Sequence, residues 1–163
     1  MDKAFSVNTF ELFDKRWALV TAGPIKRHNS MTVSWGETGT LWSKPVVTIY
    51  IKPARYTHQF IEENDYFVVS FFKEEYRKSL QIMGSLSGKN NNKDEVSGLT
   101  PIEHNGLTLY KEAEISLICK KIYQNDLDPK FISIEEIDKY YKEEAPHTMY
   151  VGEVVDIITN SVS

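Results

Sequence analysis

Apolar and polar positions alternate most sharply between Asn29 and Tyr56. In a strand, side chains point alternately to two faces, so Met31, Val33 and Trp35 share one face of Asn29-Ser30-Met31-Thr32-Val33-Ser34-Trp35 and Thr32, Ser34 and Gly36 the other. One face is apolar; the other carries small hydroxyls next to Asn29 and Ser30. Residues 45–51 (Pro-Val-Val-Thr-Ile-Tyr-Ile) are apolar and β-branched and predict a second strand, closed by Pro53. Residues 36–44 read as the link between the two. The second strand delivers the chain to Arg55 and to a short helix over residues 57–63, with Phe60 and Ile61 as its apolar contacts and Asn64 as its stop. Small donors on a strand, with an Arg and a Thr at a helix start, suit a phosphate.

The same reading extends along the chain. Residues 1–14 are a lead-in in which Phe10, Leu12 and Phe13 form a short strand or one helical turn. Residues 16–22 predict a strand that stops at Gly23-Pro24, and a short basic loop follows through Lys26, Arg27 and His28. Residues 66–72 are apolar on both faces and predict a buried strand. Residues 74–83 predict a helix from the spacing of Tyr76, Leu80 and Met83, with Gly84 just past its end. Residues 85–97 are the least regular and Asn-rich, and read as a mobile loop. Residues 107–110 and 115–123 predict two more strands, and residues 126–129 a break. Ser133 and Glu136 fit a capping box for a helix reaching about Glu143, with Ile134, Ile137 and Tyr141 on one side and Pro146 as its stop. Residues 148–158 predict the last strand. About seven strands with short connections favour a mostly antiparallel, closed or nearly closed barrel.

At 163 residues the size prior gives one domain over 1–163. Net charge is −4 with no basic stripe, which argues against a nucleic-acid partner. Cys119 is the sole cysteine, so no disulfide within the chain and no cysteine metal cluster is possible; it reads as an inert buried thiol. The four His show no ligand spacing, and no metal is expected. The N-terminus carries no apolar signal region and the longest apolar runs are too short for a bilayer, so a soluble cytoplasmic protein is expected, without membrane contact. No Gly-x-Gly-x-x-Gly motif is present.

Taken together, Asn29-Ser30-Met31-Thr32-Val33-Ser34-Trp35, then Lys44-Pro45, Arg55-Tyr56-Thr57, Tyr66-Phe67-Val68-Val69-Ser70-Phe71 and Tyr150-Val151-Gly152-Glu153-Val154 resemble the flavin reductase-like family of FMN-binding split barrels, in the branch that contains flavoredoxins. The resemblance covers roughly residues 14–157 and rests on the order and spacing of the pieces. It implies a mainly β fold with short helices: a six-stranded antiparallel Greek-key split barrel that forms a homodimer, with FMN near the dimer interface. Carried onto this sequence, it implies FMN contacts from Asn29, Ser30, Met31, Thr32, Arg55 and Thr57, with Ser34 and Trp35 beside the ring. A later Ser-Gly…Lys loop adds Ser87, Gly88 and Lys93. Here Asn92 precedes that Lys, where relatives usually carry an acid. His147 matches a family His on the substrate side, preceded by Ala145-Pro146 where relatives carry Gly-Asp.

The implied activity is transfer of hydride or electrons from NADH or NADPH through FMN to a flavin or a redox partner protein. A non-catalytic flavin-binding or interaction barrel is the alternative, because resemblance fixes a fold more firmly than a reaction. Each residue also has a plainer reading. Arg55 can be a surface cation, Thr57 an N-cap, Thr32 and Ser34 a solvent face, Lys93 a solvated loop residue and His147 structural. Trp42 reads as a core aromatic.

Overall fold

The computed structural model describes residues 6–160. Seven strands form one sheet: β1 (Ala18–Ala22), β2 (Asn29–Val33), β3 (Gly36–Leu41), β4 (Lys44–Ile51), β5 (Tyr66–Phe71), β8 (Ile115–Asp126) and β9 (Thr148–Thr159). Their order is β2-β1-β5-β8-β9-β4-β3, and every neighbouring pair is antiparallel. A separate hairpin is made by β6 (Pro101–His104) and β7 (Leu107–Tyr110). The sheet's two outer strands, β2 and β3, are consecutive in the chain, with only Ser34 and Trp35 between them. Three chain steps reach about 11 Å at most, so the opposite edges must meet at that corner. The sheet is thereby rolled into a barrel, while β2 and β3 pair only with β1 and β4. This is the mainly β antiparallel split barrel expected, with seven strands in the sheet where six were implied.

The alternation fills the barrel from all sides. Val20, Met31, Val33, Val47, Ile49, Phe67, Val69, Leu117 and Tyr150 are buried in one cluster. Phe13, from the short helix α1 (Glu11–Asp14), closes one end and meets Phe71 edge-on at 5.6 Å. A second cluster lies outside the sheet. There Leu19 on the other face of β1 packs with Leu80 and Met83 of α3 (Arg77–Ser85) and with Leu99 and Tyr110. Strand β1 is therefore buried on both faces, and α3 covers the face of β2 that carries Thr32.

Several expectations change. Residues 36–44 contain β3 and a hairpin to β4, turned by Trp42 and Ser43 at φ 51° and 59°. A two-residue turn of this hand usually announces itself with Asn or Gly, and here it does not. Trp42 sits at that tip, 63% exposed, and is not a core aromatic. The β6–β7 turn does carry Asn105-Gly106, both with positive φ. Gly84 lies inside α3, whose cap is Leu86. The segment read as loop ends in α4 (Lys93–Ser97), capped by the Asn92 side chain at one end and by left-handed Gly98 at the other. Helix α5 (Ile134–Tyr140) starts at Ser133, whose hydroxyl accepts from the Glu136 amide as the capping box requires, but it ends before Glu143. Ile134 on it is exposed, not packed.

Gly152 on β9 faces the core, and a Cβ there would sit 2.6 Å from both Cys119 Cβ and the Phe67 ring. Neither neighbour is a free chain end. Gly152→Ala is expected to cost about 1–3 kcal/mol by overpacking. Its melting temperature should fall by roughly 3–10 °C, measurable by thermal denaturation at fixed pH.

Candidate functional site

Asn29 opens β2 at the barrel end where α2 (Tyr56–Glu63) begins. Its Nδ2 donates to Thr57 Oγ1 at 2.8 Å, and Thr57 is 1% exposed. The N-cap position of α2 is Arg55, which makes no side-chain capping bond, so Thr57 is not the cap. No acidic residue stands in the first turn of α2, although a helix start favours negative charge. The Arg55 guanidinium instead turns across the opening and gives one N–H to the Gly84 carbonyl at 2.7 Å.

Residues 85–88 close the other side. Gly88 packs so tightly on Asn29 that a Cβ would fall 2.0 Å from Asn29 Oδ1. From α4, Lys93 reaches in and donates from Nζ to the Ser30 carbonyl at 2.5 Å while only 6% exposed. Burial, and then the nearby Arg55 charge, push the Lys93 ammonium down to about 8. An ammonium has three donors, and one of them is taken by Ser30. The resulting cavity of about 130 Å³ is lined by Asn29, Arg55, Thr57, Ser87, Gly88 and Lys93 among others. Two cations and several neutral donors face one small space.

Met31 and Arg55 also line a wider groove of about 290 Å³, which continues past Thr32, Ser34, Trp35, Lys52 and His147. The Trp35 ring stands 5.0 Å from Tyr140 and 5.2 Å from His147. Tyr141 OH hydrogen-bonds His147 Nδ1 at 2.8 Å. Burial, followed by the Lys52 charge, lowers His147 to about 4, so the imidazole is neutral near pH 7. Lys52 is itself fixed by the Tyr140 carbonyl and by Glu144.

The structure therefore brings Asn29, Met31, Arg55, Thr57, Ser87, Gly88 and Lys93 around one cavity, with Thr32, Ser34, Trp35 and His147 along the adjoining groove. The strand hydroxyls of Ser30 and Thr32 share one face of β2, but that face is covered and neither hydroxyl is free for a ligand. Ser30 Oγ bonds Thr21 and Tyr110, and Thr32 Oγ1 donates to the Leu80 carbonyl at 2.6 Å. Both are absorbed by the layer outside the sheet. The sequence reading missed Lys52, Tyr141 and Glu144, which come together only because the chain after α5 crosses the groove. Among the described residues no group of three or more His, Cys, Asp or Glu is placed to hold a metal ion, and no helix is long and apolar enough to cross a membrane.

A family model described as the flavin reductase like domain matches residues 10–162. An uncharacterized protein of Archaeoglobus fulgidus is 29% identical over 154 residues, which cover 93% of this chain and 76% of that protein. Among solved structures, the flavoredoxin of Methanosarcina acetivorans superposes with a TM-score of 0.72 at 18% identity, covering 98% of this chain and 76% of its own. The flavoredoxin of Desulfovibrio vulgaris (Miyazaki F) gives 0.69 at 22%, covering 99% and 78%. An NADH:FAD oxidoreductase of Streptomyces globisporus C-1027 gives 0.67 at 18%, covering 88% and 75%. The structural likenesses speak for the barrel alone, and the match across residues 10–162 carries the assignment: the chain belongs to the flavin reductase like family.

Proposed function

We propose that this protein is an FMN-binding flavoprotein of the flavin reductase or flavoredoxin type, a soluble cytoplasmic homodimer that passes hydride or electrons from NADH or NADPH to a flavin or a partner protein. The observation that carries the reading is the pair of cations, Arg55 and buried Lys93, facing one small cavity that opens into an aromatic groove. Like charges held together at a helix start that lacks an acid are in conflict, and a bound anion removes it. The donor set fits the phosphate of FMN, and the Gly88 backbone, packed against Asn29, leaves the cavity clear of a side chain there. In this reading Asn29, Arg55, Thr57, Ser87, Gly88 and Lys93 hold the phosphate. Met31, Thr32, Ser34 and Trp35 flank the ring. Ser30 acts through its carbonyl, which holds Lys93.

The chemistry FMN would supply is two-electron acceptance at the flavin ring and release of those electrons to the acceptor. The chain's own part is to bind, orient and exclude water. His147 is neutral and held at Nδ1 by Tyr141; when the Tyr141 hydroxyl is the donor in that bond, the proton sits on Nε2 and the ring can donate to a substrate in the groove it lines. The neighbours' names support the reading: two are flavoredoxins and one is an NADH:FAD oxidoreductase. Adding FMN to the purified protein is expected to shift and structure the flavin absorbance band; an unchanged spectrum overturns the proposal. Anaerobic NADH or NADPH should then bleach the bound flavin. Failure to bleach favours a flavin-binding barrel without nicotinamide activity, which the lack of a dinucleotide motif would accommodate.

Trp35 is half-exposed on the groove, and in the proposed homodimer a second copy of the chain covers it. Light scattering at micromolar concentration should give twice the mass of one chain, and Trp35→Ala should shift the equilibrium toward monomer. A wild-type monomer counts against the dimer.

A further inference from the structure

Behind the cavity a second set of buried and half-buried polar groups does not touch the proposed phosphate position, yet it is wired to Lys93. Asp94 Oδ1 accepts from Tyr110 OH at 2.6 Å and Asp94 Oδ2 meets His28 Nε2 at 2.9 Å. A carboxylate only accepts, so Tyr110 donates to it, Ser30 Oγ donates to Tyr110, and Thr21 donates to Ser30. Ser30 thus holds both residues that begin α4: Lys93 through its carbonyl and Asp94 through its hydroxyl and Tyr110.

His28 lies between two acceptors, the Ile25 carbonyl at 3.0 Å from Nδ1 and the Asp94 carboxylate at Nε2. A neutral imidazole has one N–H and satisfies one of them; the imidazolium satisfies both. The energetics agree with this geometry. Burial lowers the His28 value, but the hydrogen bond and charge of Asp94 outweigh it and leave it raised. Burial raises the Asp94 value, but the bonds from His28 and Tyr110 outweigh it and leave it lowered. Asp94 is therefore a clamped carboxylate, one residue from the buried ammonium. The charged groups bearing on Lys93 are Arg55 and Asp94, of opposite sign. Asp94 also ties down the rest of α4, since its carbonyl accepts from Ser97 Oγ at 3.1 Å and from the Gly98 amide at 3.0 Å.

We propose that the His28–Asp94–Tyr110 cluster is a positioning device for the phosphate site: it fixes the first turn of α4 and so sets the Lys93 ammonium in the cavity. His28, Asp94 and Tyr110 are positioning residues in this assignment, not ligands. The inference rests on the reading of the cavity as a flavin phosphate site.

Asp94→Asn separates position from charge by sign. If Asp94 acted only as a charge, neutralising it would remove a negative group beside the phosphate and tighten FMN. If it positions Lys93, FMN weakens. The comparison is made at about pH 6.5, below the Lys93 value, where the ammonium is charged either way. The expected result is that FMN binding weakens about tenfold, while riboflavin, which lacks the phosphate, changes less than about twofold. His28→Gln, which keeps the carboxylate and loses its cationic clamp, should move the same ratio in the same direction. Unchanged or tighter FMN in Asp94→Asn, or equal losses for both flavins in both variants, overturns the assignment. A second readout needs no flavin. At about pH 6.5, where the ammonium is charged in both proteins, NMR of isotope-labelled lysine side chains should show the wild-type Lys93 signal as that of a fixed, buried group and the Asp94→Asn signal broadened or moved toward that of a solvated lysine; an unmoved signal overturns the positioning role. If the wild type binds neither FMN nor riboflavin, the flavin reading fails, and the lysine signal at that pH still decides whether Asp94 fixes Lys93.

Discussion

Arg55→Ala is expected to weaken FMN binding by roughly ten- to a hundredfold or more while riboflavin affinity barely changes. The guanidinium has five N–H donors and gives one to the Gly84 carbonyl. The donors that remain face both the small cavity and the groove, since Arg55 lines each. Removing the side chain deletes one or two charge-assisted bonds to phosphate, each contributing on the order of 1.5–3 kcal/mol. Riboflavin shares the ring and the ribityl chain with FMN but not the phosphate, so the ratio of the two affinities cancels general damage to the fold. Thr57→Ala should show the same asymmetry more weakly, because Thr57 accepts from Asn29 and orders that amide rather than carrying charge. Isothermal titration with both flavins measures the ratio. Equal weakening would remove Arg55 from the phosphate site and leave Lys93 as its cation.

The long strands were legible because each contains an alternating or an apolar run, and where β8 turns polar past Cys119 its reading stopped short, at 123 instead of Asp126. Buried positions recur along the eight residues of β4 and the twelve of β9, separated by half-buried or exposed ones. What the pattern hid was short or evenly polar. Strand β3 has no buried residue at all, so no period marks it, and its turn uses Trp42-Ser43 in a backbone region that Gly or Asn normally occupies. Helix α4 has five residues, too few for a helical period, and it is held by the Asn92 and Gly98 caps and by Asp94 rather than by an apolar stripe.

The candidate site divides in the same way. Arg55, Thr57, Gly88 and Lys93 come from scattered segments, and order and spacing against a known family are what collected them. Alternation put Thr32 on the polar face of β2, and Ser30, two residues before it, shares that face. It gave no sign that α3 and Tyr110 cover that face and take up both hydroxyls. The clamp on Lys93 joins residues 28, 94 and 110, which no local pattern connects.

Lys93→Met is expected to make the flavin-free protein more stable near pH 7 and to narrow FMN's advantage over riboflavin to the part that Arg55 supplies. The folded chain holds Lys93 at about 8 against an ordinary 10.5, and that gap corresponds to about 3 kcal/mol working against folding wherever the group is charged. Methionine fills a similar volume without charge. It forfeits the bond to the Ser30 carbonyl, about 1 kcal/mol, so a net gain of about 1–3 kcal/mol remains and the melting temperature should rise by roughly 3–10 °C. The pH dependence follows from the direction of the shift. Below about 8 both states hold the proton and the penalty is constant. Between about 8 and 10.5 the unfolded chain keeps its proton while the folded chain releases it, so wild-type stability rises with pH across that window. Lys93→Met should lose this rise. A phosphate in the cavity favours the charged amine, so FMN affinity in the wild type should fall as pH climbs above about 8, with riboflavin flat, and the variant should be flat for both. Chemical denaturation across pH and flavin titration across pH give the two curves. A Lys93→Met protein that is less stable at pH 7 and keeps the full wild-type preference for FMN would show that the buried amine serves the fold and not the ligand. Opposite signs for stability and phosphate affinity are what general damage cannot produce, because damage lowers both.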